Sequence, residues 1–463
     1  MTALLWLRRD LRRRDHPALL AAAQGGRPVV VAFVLDPRLW EAAGPVRRAW
    51  LAATVLATAE AFRGSLVVAY GDPRTRIPEL ALAVGAREVH VTRETTPAGR
   101  RRDTAVSQAL AGAGIRWVET GTPYAVGPGL VRTRAGGPYR VFTPFYRAWL
   151  DHGWPAPAES DSETLDVADL PSDPRAVDTV RAALDGSGLP ALPEAGESAA
   201  LARWRAFRDG ALAAYSTDRD RADLDGTSRI SADLKVGALH PRTVLHDLSR
   251  QGGPGPEAFR RELAWREFYA DVLAHHPRSA WHDLRADLRE LAYNGLPDAV
   301  QAWRVGRTGY PMVDAGMRQL AATGWMHNRV RMITASFLTK DLHVWWPIGA
   351  RHFLGHLLDA DVASNSHGWQ WVAGTGTDSS PYFRVFNPVS QGERFDPHGD
   401  YVRRWVPELA HLPGRAAHRP WDAADGYAAD YPARIVDHDV ERREALARYA
   451  AVRARTAEET ADA

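Results

Sequence analysis

In the first 120 residues, short runs of consecutive apolar residues alternate with longer alanine- and arginine-rich stretches. The runs are Ala3–Leu7, Val29–Asp36, Ser65–Gly71, Glu88–Thr92 and Arg116–Glu119, and the stretches between them include Arg38–Phe62 and Gly99–Ala113. A strand with one wet face alternates apolar and polar positions, whereas an unbroken apolar run suits a strand covered on both faces. The pattern therefore predicts an α/β domain over 1–130, a doubly wound parallel sheet with helices on both sides. Sheets of this kind bind ligands at the carboxyl ends of their strands. No run is followed by G-x-G-x-x-G or a P-loop, so the expected pocket has no occupant assigned by motif.

From Asp151 to about Ser198 the chain is rich in Pro, Ala, Asp and Ser, as in Trp154-Pro-Ala-Pro and Gly188-Leu-Pro-Ala-Leu-Pro. Residues 131–200 read as an interdomain connection with one helix near Val177–Leu184. Beyond it, helical periodicity dominates from Leu201 to about Ala451, which predicts an all-α domain over 201–455 and a flexible tail at 456–463.

Composition narrows the chemistry. With no cysteine in 463 residues, disulfides, thiolate metal sites and cysteine nucleophiles are excluded. The 58 basic side chains barely outnumber the 56 acidic ones, so any nucleic acid must be held by a local basic patch. The start, Met1 to Arg14, puts a short apolar run before five arginines, the reverse of a secretory signal, and no apolar stretch nears the ~20 residues of a membrane span. A cytoplasmic protein is expected. Eleven of the 17 tryptophans follow residue 200, which indicates either a large aromatic core or a site built on π-systems.

Three stretches carry candidate chemistry. In Glu262-Leu-Ala-Trp-Arg-Glu-Phe-Tyr269, a helix would place Glu262, Trp265, Arg266 and Tyr269 on one face, as a binding stripe or as a buried salt bridge with aromatic packing. Asp225-Gly-Thr-Ser-Arg-Ile-Ser231 offers Thr227, Ser228 and Ser231 hydroxyls at a helix start, suited to a phosphate or to an ordinary cap. The third is the densest: Arg307–Arg318, Thr323–Met332, Asp359-Ala-Asp361, Asn365, Gly368-Trp-Gln-Trp371 and Pro381–Asn387. Trp369 and Trp371, two apart, would point about 200° from one another on a helix, so that one faces inward and one a groove. Asp359 and Asp361 are read in the same way. His352 and His356 have the i, i+4 spacing of zinc ligands, with His343 and His367 nearby, but no H-E-x-x-H follows, and no metal is expected.

These segments resemble the FAD-binding domain of the photolyase/cryptochrome family, and specifically of bacterial class I cyclobutane pyrimidine dimer photolyases. Trp6-Leu-Arg-Arg-Asp-Leu-Arg12 with Asp15-His-Pro-Ala-Leu19 resembles the family's opening strand and helix, and the likeness runs in order along nearly the whole chain. The resemblance implies FAD in the helical domain, active as FADH⁻. Tyr215 and the turn Thr227, Ser228, Arg229, Ile230 and Ser231 would lie at its phosphates. Arg331 would pair with Asp359 beside the ring system, Asp361 with Ala360 would meet its polar edge, and Asn365 would face flavin N5. An amide can bond that nitrogen in either protonation state without adding charge.

On the substrate side, the resemblance implies that Glu262 hydrogen-bonds the damaged thymines, that Trp265 and Trp371 form an apolar wall, and that Asn328 and Met332 complete the pocket. Arg219, Arg266, Arg329 and Gln391, with Trp265 and Asn328, would face UV-damaged DNA. The reaction implied is electron transfer from excited FADH⁻ to a flipped-out dimer, ring splitting and return of the electron. Photolyases are themselves an example of base flipping. A monomer acting without metal or membrane is expected.

The chain departs from the family pattern at one place. Electrons are expected to reach the flavin through Trp346 and Trp369, and where a third tryptophan belongs, this sequence has Tyr293. Tyr293 is taken as the outer end, with Trp345 and Trp303 as substitutes. An antenna pigment is expected in the first half. Leu35-Asp-Pro37 and Thr96–Asp103 resemble deazaflavin-binding (8-HDF) members more than folate-binding (MTHF) ones. Two alternatives are weighed: a cryptochrome-type photoreceptor, against which stand Asn365, Glu262, Trp265, Trp371 and the short C-terminus, and a (6-4) photoproduct photolyase, which relies on a histidine pair in the region of His327, where the neighbours Trp325-Met-His-Asn resemble the dimer-repair pattern.

Overall fold

The computed structural model describes residues 2–160, 166–186, 188–377 and 383–461. They fall into two compact units: residues 1–216, 227–277 and 358–361 form the first, and 217–226, 278–357 and 362–463 the second.

The first unit is built on a five-stranded sheet: β1 (Ala3–Leu7), β2 (Val29–Leu35), β3 (Leu66–Tyr70), β4 (Glu88–Val91) and β5 (Arg116–Glu119), in the order β3-β2-β1-β4-β5. All pairings are parallel, with Leu5 opposite Val31 and Val31 opposite Leu66. Every residue of β1, β2 and β4 is buried, as expected of unbroken apolar runs between two helical layers. The helices start where the chain supplies caps. Asp72 and Thr96 accept backbone N–H bonds at the heads of Pro73–Ala83 and Pro97–Gly112, each with proline in the first turn.

Part of the stretch expected to be an interdomain connection packs on this unit. Val29 donates to Asp166 O and Ala168 to Val29 O, Asp173 N–H bonds Val68 O, and the helix Pro174–Ala182 follows. Its alanines, prolines and aspartates supply caps and turns that fit against the sheet edge, so polar composition did not mean solvation. The second unit contains helices Asn328–Ser336, Trp346–His356, Val362–Ala373, Pro388–Phe395 and His438–Ala461. The last of these continues through most of the expected tail, leaving only 462–463 outside the described residues. No helix among the described residues is long and apolar enough to cross a membrane.

Candidate functional site

At the carboxyl ends of β1 and β4 the strand order reverses, and the loops that follow them diverge. The residues there are charged. Arg9 lies 2.9 Å from Asp361 and 3.7 Å from Glu94, and Lys235 lies 3.6 Å from Asp361. Asp103 receives Arg8 and, at 2.7 Å, Arg102, while Asp10 accepts the Thr92 hydroxyl at 2.5 Å. Burial opposes ionisation of Glu94, but Arg9, Arg8, the Thr96 N–H and Arg102 outweigh it and hold its carboxyl down at about 2. Lys235 is pushed down to about 8 by burial and by the like charge of Arg9, with Asp361 and Glu94 offsetting part. The buried Arg9 guanidinium is thus held between Glu94 and Asp361 and lies over the Tyr124 ring at 5.9 Å. Asp36, in the Leu35–Pro37 segment, caps Arg38 N–H, and Thr96 caps the helix that carries Asp103.

Further along the first unit, the helix Pro254–His275 carries Glu262, Trp265, Arg266 and Tyr269, as their spacing predicts. Trp265 stacks on Phe142 of the helix Phe142–His152, ring centroids 3.7 Å apart and planes within 7°. Phe268 and Tyr269 bracket it at 5.7 and 5.3 Å. Arg266 departs from its expected DNA-facing role. Its Nη1 and Nη2 donate to Pro123 O and Leu234 O at 3.0 Å each, and its guanidinium lies over Tyr124. Two backbone carbonyls and a ring face give it better partners here than water would, so it acts as a tie within this unit. The neighbouring Glu267 was not singled out by sequence. Its carboxylate accepts the N–H groups of Ala125, Val126 and Gly127.

The Thr227–Ser231 turn leads into the helix Ser231–Val236, with Arg229 at φ 53°. Thr227, Ser228 and Ser231 are half-buried there, and Ile230 is buried. Tyr215 is buried edge-on to Phe207 and Phe259. Asp359, Ala360 and Asp361 do not lie on a helix as read from sequence. The preceding helix ends at His356 because Leu357 turns extended (ψ 134°), and the next begins at Val362, so all three occupy the turn between them.

In the second unit, Asn365, Trp369 and Trp371 lie on the helix Val362–Ala373. Trp369 is buried and Trp371 half-buried, the split that their spacing predicted. Arg384 lies over the Trp371 ring at 5.2 Å. Asn365 Nδ2 donates to Ala350 O at 3.1 Å. Trp369 rests against Gly349, where a Cβ would come within 2.2 Å of its ring, and meets Phe353 and Trp303 edge-on at 5.0 and 6.1 Å. Trp346, one turn before Gly349, is fully buried and donates its indole N–H to Asp283 at 2.7 Å. The hydroxyl of Tyr293 is buried. Trp345 is half-buried, and Trp303 donates to Thr334 O.

On the helix Asn328–Ser336, exposed Asn328 contacts Met332 Sδ at 3.9 Å, and Arg331 Nε donates to Met326 O. Arg329 pairs with Asp220 at 2.8 Å and lies over Phe395, with Arg394 on the same ring; Arg219 is 4.0 Å from Asp220, and half-buried Gln391 is on the helix Pro388–Phe395. Of the Pro381–Asn387 motif, Pro381 and Tyr382 lie outside the described residues. The histidines have structural partners: His343 pairs with Glu441, His367 with Ser279 and Ala363 O, and His356 with His352 O.

Residues 3–162 match the family model described as DNA photolyase, and 259–451 the FAD binding domain of DNA photolyase. The chain is 41% identical to the deoxyribodipyrimidine photo-lyase of Streptomyces griseus, over 92% of this chain and 94% of that protein. It is 39% identical to that of Escherichia coli, over 98% and 99%. Among solved structures it is similar to a class III photolyase from Agrobacterium tumefaciens (TM-score 0.87, 37% identity, 98% of each chain). It is also similar to a Synechocystis cryptochrome (TM-score 0.86, 27% identity, 96% of this chain and 98% of the other).

Proposed function

This chain belongs to the DNA photolyase family, and from that membership we propose that it is a deoxyribodipyrimidine photo-lyase, an enzyme that uses light to reverse cyclobutane pyrimidine dimers in DNA. The observation that carries the reading is that photo-lyase relatives match the chain almost end to end, the sheet and the helices alike.

FAD, bound and reduced, supplies the electron that light drives to the lesion. The groups that would hold it are assigned unit by unit. In the first unit these are Tyr215, the Thr227–Ser231 turn with its three hydroxyl side chains, and the turn Asp359, Ala360 and Asp361. In the second they are Arg331, fixed by Met326 O, and Asn365, whose amide is held by Ala350 O. The neutral Asn365 amide suits a group that changes charge, because it bonds that group without favouring one charge state.

Glu262 is assigned to hydrogen-bond the damaged thymines. Trp265 is assigned to stack on them, which is worth ~1–3 kcal/mol per base in single-strand binders. In the second unit, Asn328, Met332 and Trp371 are assigned lesion-binding roles. Arg219, Arg329 and Gln391 are assigned to the DNA strand. Trp369, Trp346 and Tyr293 are assigned as the path by which oxidised flavin is recharged. The crevice at β1 and β4 is assigned to a deazaflavin antenna. That assignment rests on the resemblance of Leu35-Asp-Pro37 and Thr96–Asp103, and mass spectrometry of extracted pigment distinguishes a deazaflavin from a folate.

The test is incubation of the reduced, FAD-loaded protein under blue light with oligonucleotides carrying either a cyclobutane dimer or a (6-4) product. Restored thymines from the dimer alone are expected. Repair of the (6-4) product alone, or of neither lesion, would overturn the reading.

A further inference from the structure

A cavity of about 160 Å³ in the first unit has no part in the reading so far. It lies between the helices Glu197–Asp209 and Pro241–Leu248, and the chain that follows β1 adds Arg12 and Arg14 to its lining. Glu197, Leu201, Trp204, Arg205 and Arg208 share one face of the first helix, which forms a wall of the cavity. Four arginines, Arg12, Arg14, Arg205 and Arg208, line it against two carboxylates, Glu197 and Asp247. Both carboxylates already have donors. Glu197 accepts the backbone N–H groups of Arg13 and Arg14 at 3.0 and 2.8 Å. Asp247 accepts the indole N–H of Trp204 at 2.8 Å and Arg208 at 3.1 Å, and Arg208 also reaches Asp209. Arg12 is 2% exposed, yet its guanidinium hydrogen-bonds no carboxylate among the described residues. It donates instead to the carbonyls of Arg14, Asp15 and Gly237. Arg205 is exposed and makes no hydrogen bond or ion pair with another described residue. Behind the lining, the Asp15 carboxylate is bonded to His240 and Thr243, and burial and Arg12 push the His240 pKa down to about 4, so this histidine adds no charge at neutral pH.

Guanidinium groups gathered around one cavity repel each other unless an anion lies among them. Their planar forks match the oxygens of a phosphate, which they bond in pairs. Size narrows the class further. A cavity of about 150 Å³ holds a single benzene ring, so this one has room for a phosphate group but not for a whole nucleotide. We propose that the cavity binds a dianionic phosphate, free or as the end of a small monoester. Arg14 and Arg205 are its direct partners, and Arg12 supplies a fixed positive charge from its buried position. A phosphate within a DNA strand fits less well, because it carries one negative charge and a bulky substituent on either side.

The test uses the full chain loaded with FAD, in phosphate-free buffer at about 0.15 M ionic strength, where a Debye length of roughly 8 Å screens diffuse attraction to the surface. Calorimetric titration with inorganic phosphate, with a nucleoside 5′-monophosphate and with the unphosphorylated nucleoside measures binding, and undamaged duplex DNA serves as competitor. Both phosphates should bind at a single site, and the nucleoside should not. Equal affinity for the two supports recognition of the phosphate alone, and tighter binding of the nucleotide supports a monoester as the source. A hydrogen bond to a charged group is worth roughly tenfold in affinity, so Arg205→Gln and Arg14→Gln should each weaken phosphate binding by about that factor. Both side chains are exposed, so the melting temperatures without phosphate should match that of the parent chain. Dimer repair by Arg205→Gln should be unchanged. Failure of the parent chain to bind either phosphate overturns the proposal, as does parent-level phosphate binding in both variants. Displacement of bound phosphate by duplex DNA, together with weaker DNA binding in Arg205→Gln, also overturns it, because the cavity would then belong to a DNA-contacting surface.

Discussion

The Trp265 indole and the Phe142 ring lie face to face, centroids 3.7 Å apart and planes within 7°. Arg261 sits over the same phenyl ring and over Tyr146, and Tyr146 stacks on Phe142, so Trp265 ends a pile of π-systems and one cation. An aromatic pair of this kind contributes about 1 kcal/mol beyond the area it buries, and here it also fixes the plane that Trp265 presents.

Phe142→Leu, which keeps apolar volume but removes the stack, should weaken binding of dimer-containing oligonucleotide by about fivefold, the equivalent of about 1 kcal/mol. Binding to undamaged DNA should be unaffected. Fluorescence anisotropy on the two oligonucleotides measures both, and equal loss on each would show that Phe142 supports the fold rather than the lesion contact.

Gly349→Ala sets two effects against each other. Alanine in a helix interior gains about 1 kcal/mol over glycine. Here its Cβ would come 2.2 Å from the Trp369 ring and 2.6 Å from Leu338, and overpacking of this kind costs roughly 1–3 kcal/mol. The clash should win, lowering the urea midpoint and, because Trp369 must move, slowing light-driven recharging of the flavin. A stabilised variant with unchanged recharging would contradict the close packing.

Glu94 predicts an acid limb of stability. Its folded pKa of about 2 is below the ordinary 4.5, so the folded state binds fewer protons than the unfolded one in that interval. Its contribution is therefore complete above pH 4.5 and is lost as pH falls toward 2. The difference corresponds to about 3 kcal/mol. Glu94→Gln should lower stability at neutral pH and flatten the curve between these limits; a parallel curve would show that Glu94 is not ionised by its arginines.

For Arg329 the readout is salt. If it meets a phosphate, Arg329→Ala should reduce the slope of log K against log salt by about 0.9, equally for damaged and undamaged DNA. Asp220→Ala, which removes the partner 2.8 Å away, should strengthen binding at low salt. An unchanged slope in Arg329→Ala would remove it from the DNA-facing set.

The five strands were legible to within a residue or so at each end; for β1, β2 and β3 the reason is that a strand covered on both faces must be apolar along its length, whereas β5 is exposed at Arg116 and Glu119. The face shared by Glu262 and Trp265 and the divergence of Trp369 from Trp371 were legible for a similar reason: a helix converts short spacings into direction. Spacing failed where the helix itself stopped. Asp359 and Asp361 were read as helical, but the chain turns at Leu357. Composition marked 131–200 as a connection without showing that 166–173 bonds to the sheet, and the resemblance that put Arg266 at the DNA did not show its ties to two backbone carbonyls from distant segments.

What the sequence determined by itself was thus local: strand, helix, face and the residue types able to hold a flavin or a damaged base. Tertiary structure alone decided the pairings of Trp265 with Phe142, Trp369 with Gly349 and Trp346 with Asp283, separated along the chain by 123, 20 and 63 residues. Each depends on how two elements close-pack, and a contact made by packing leaves no period in the sequence from which it could be read.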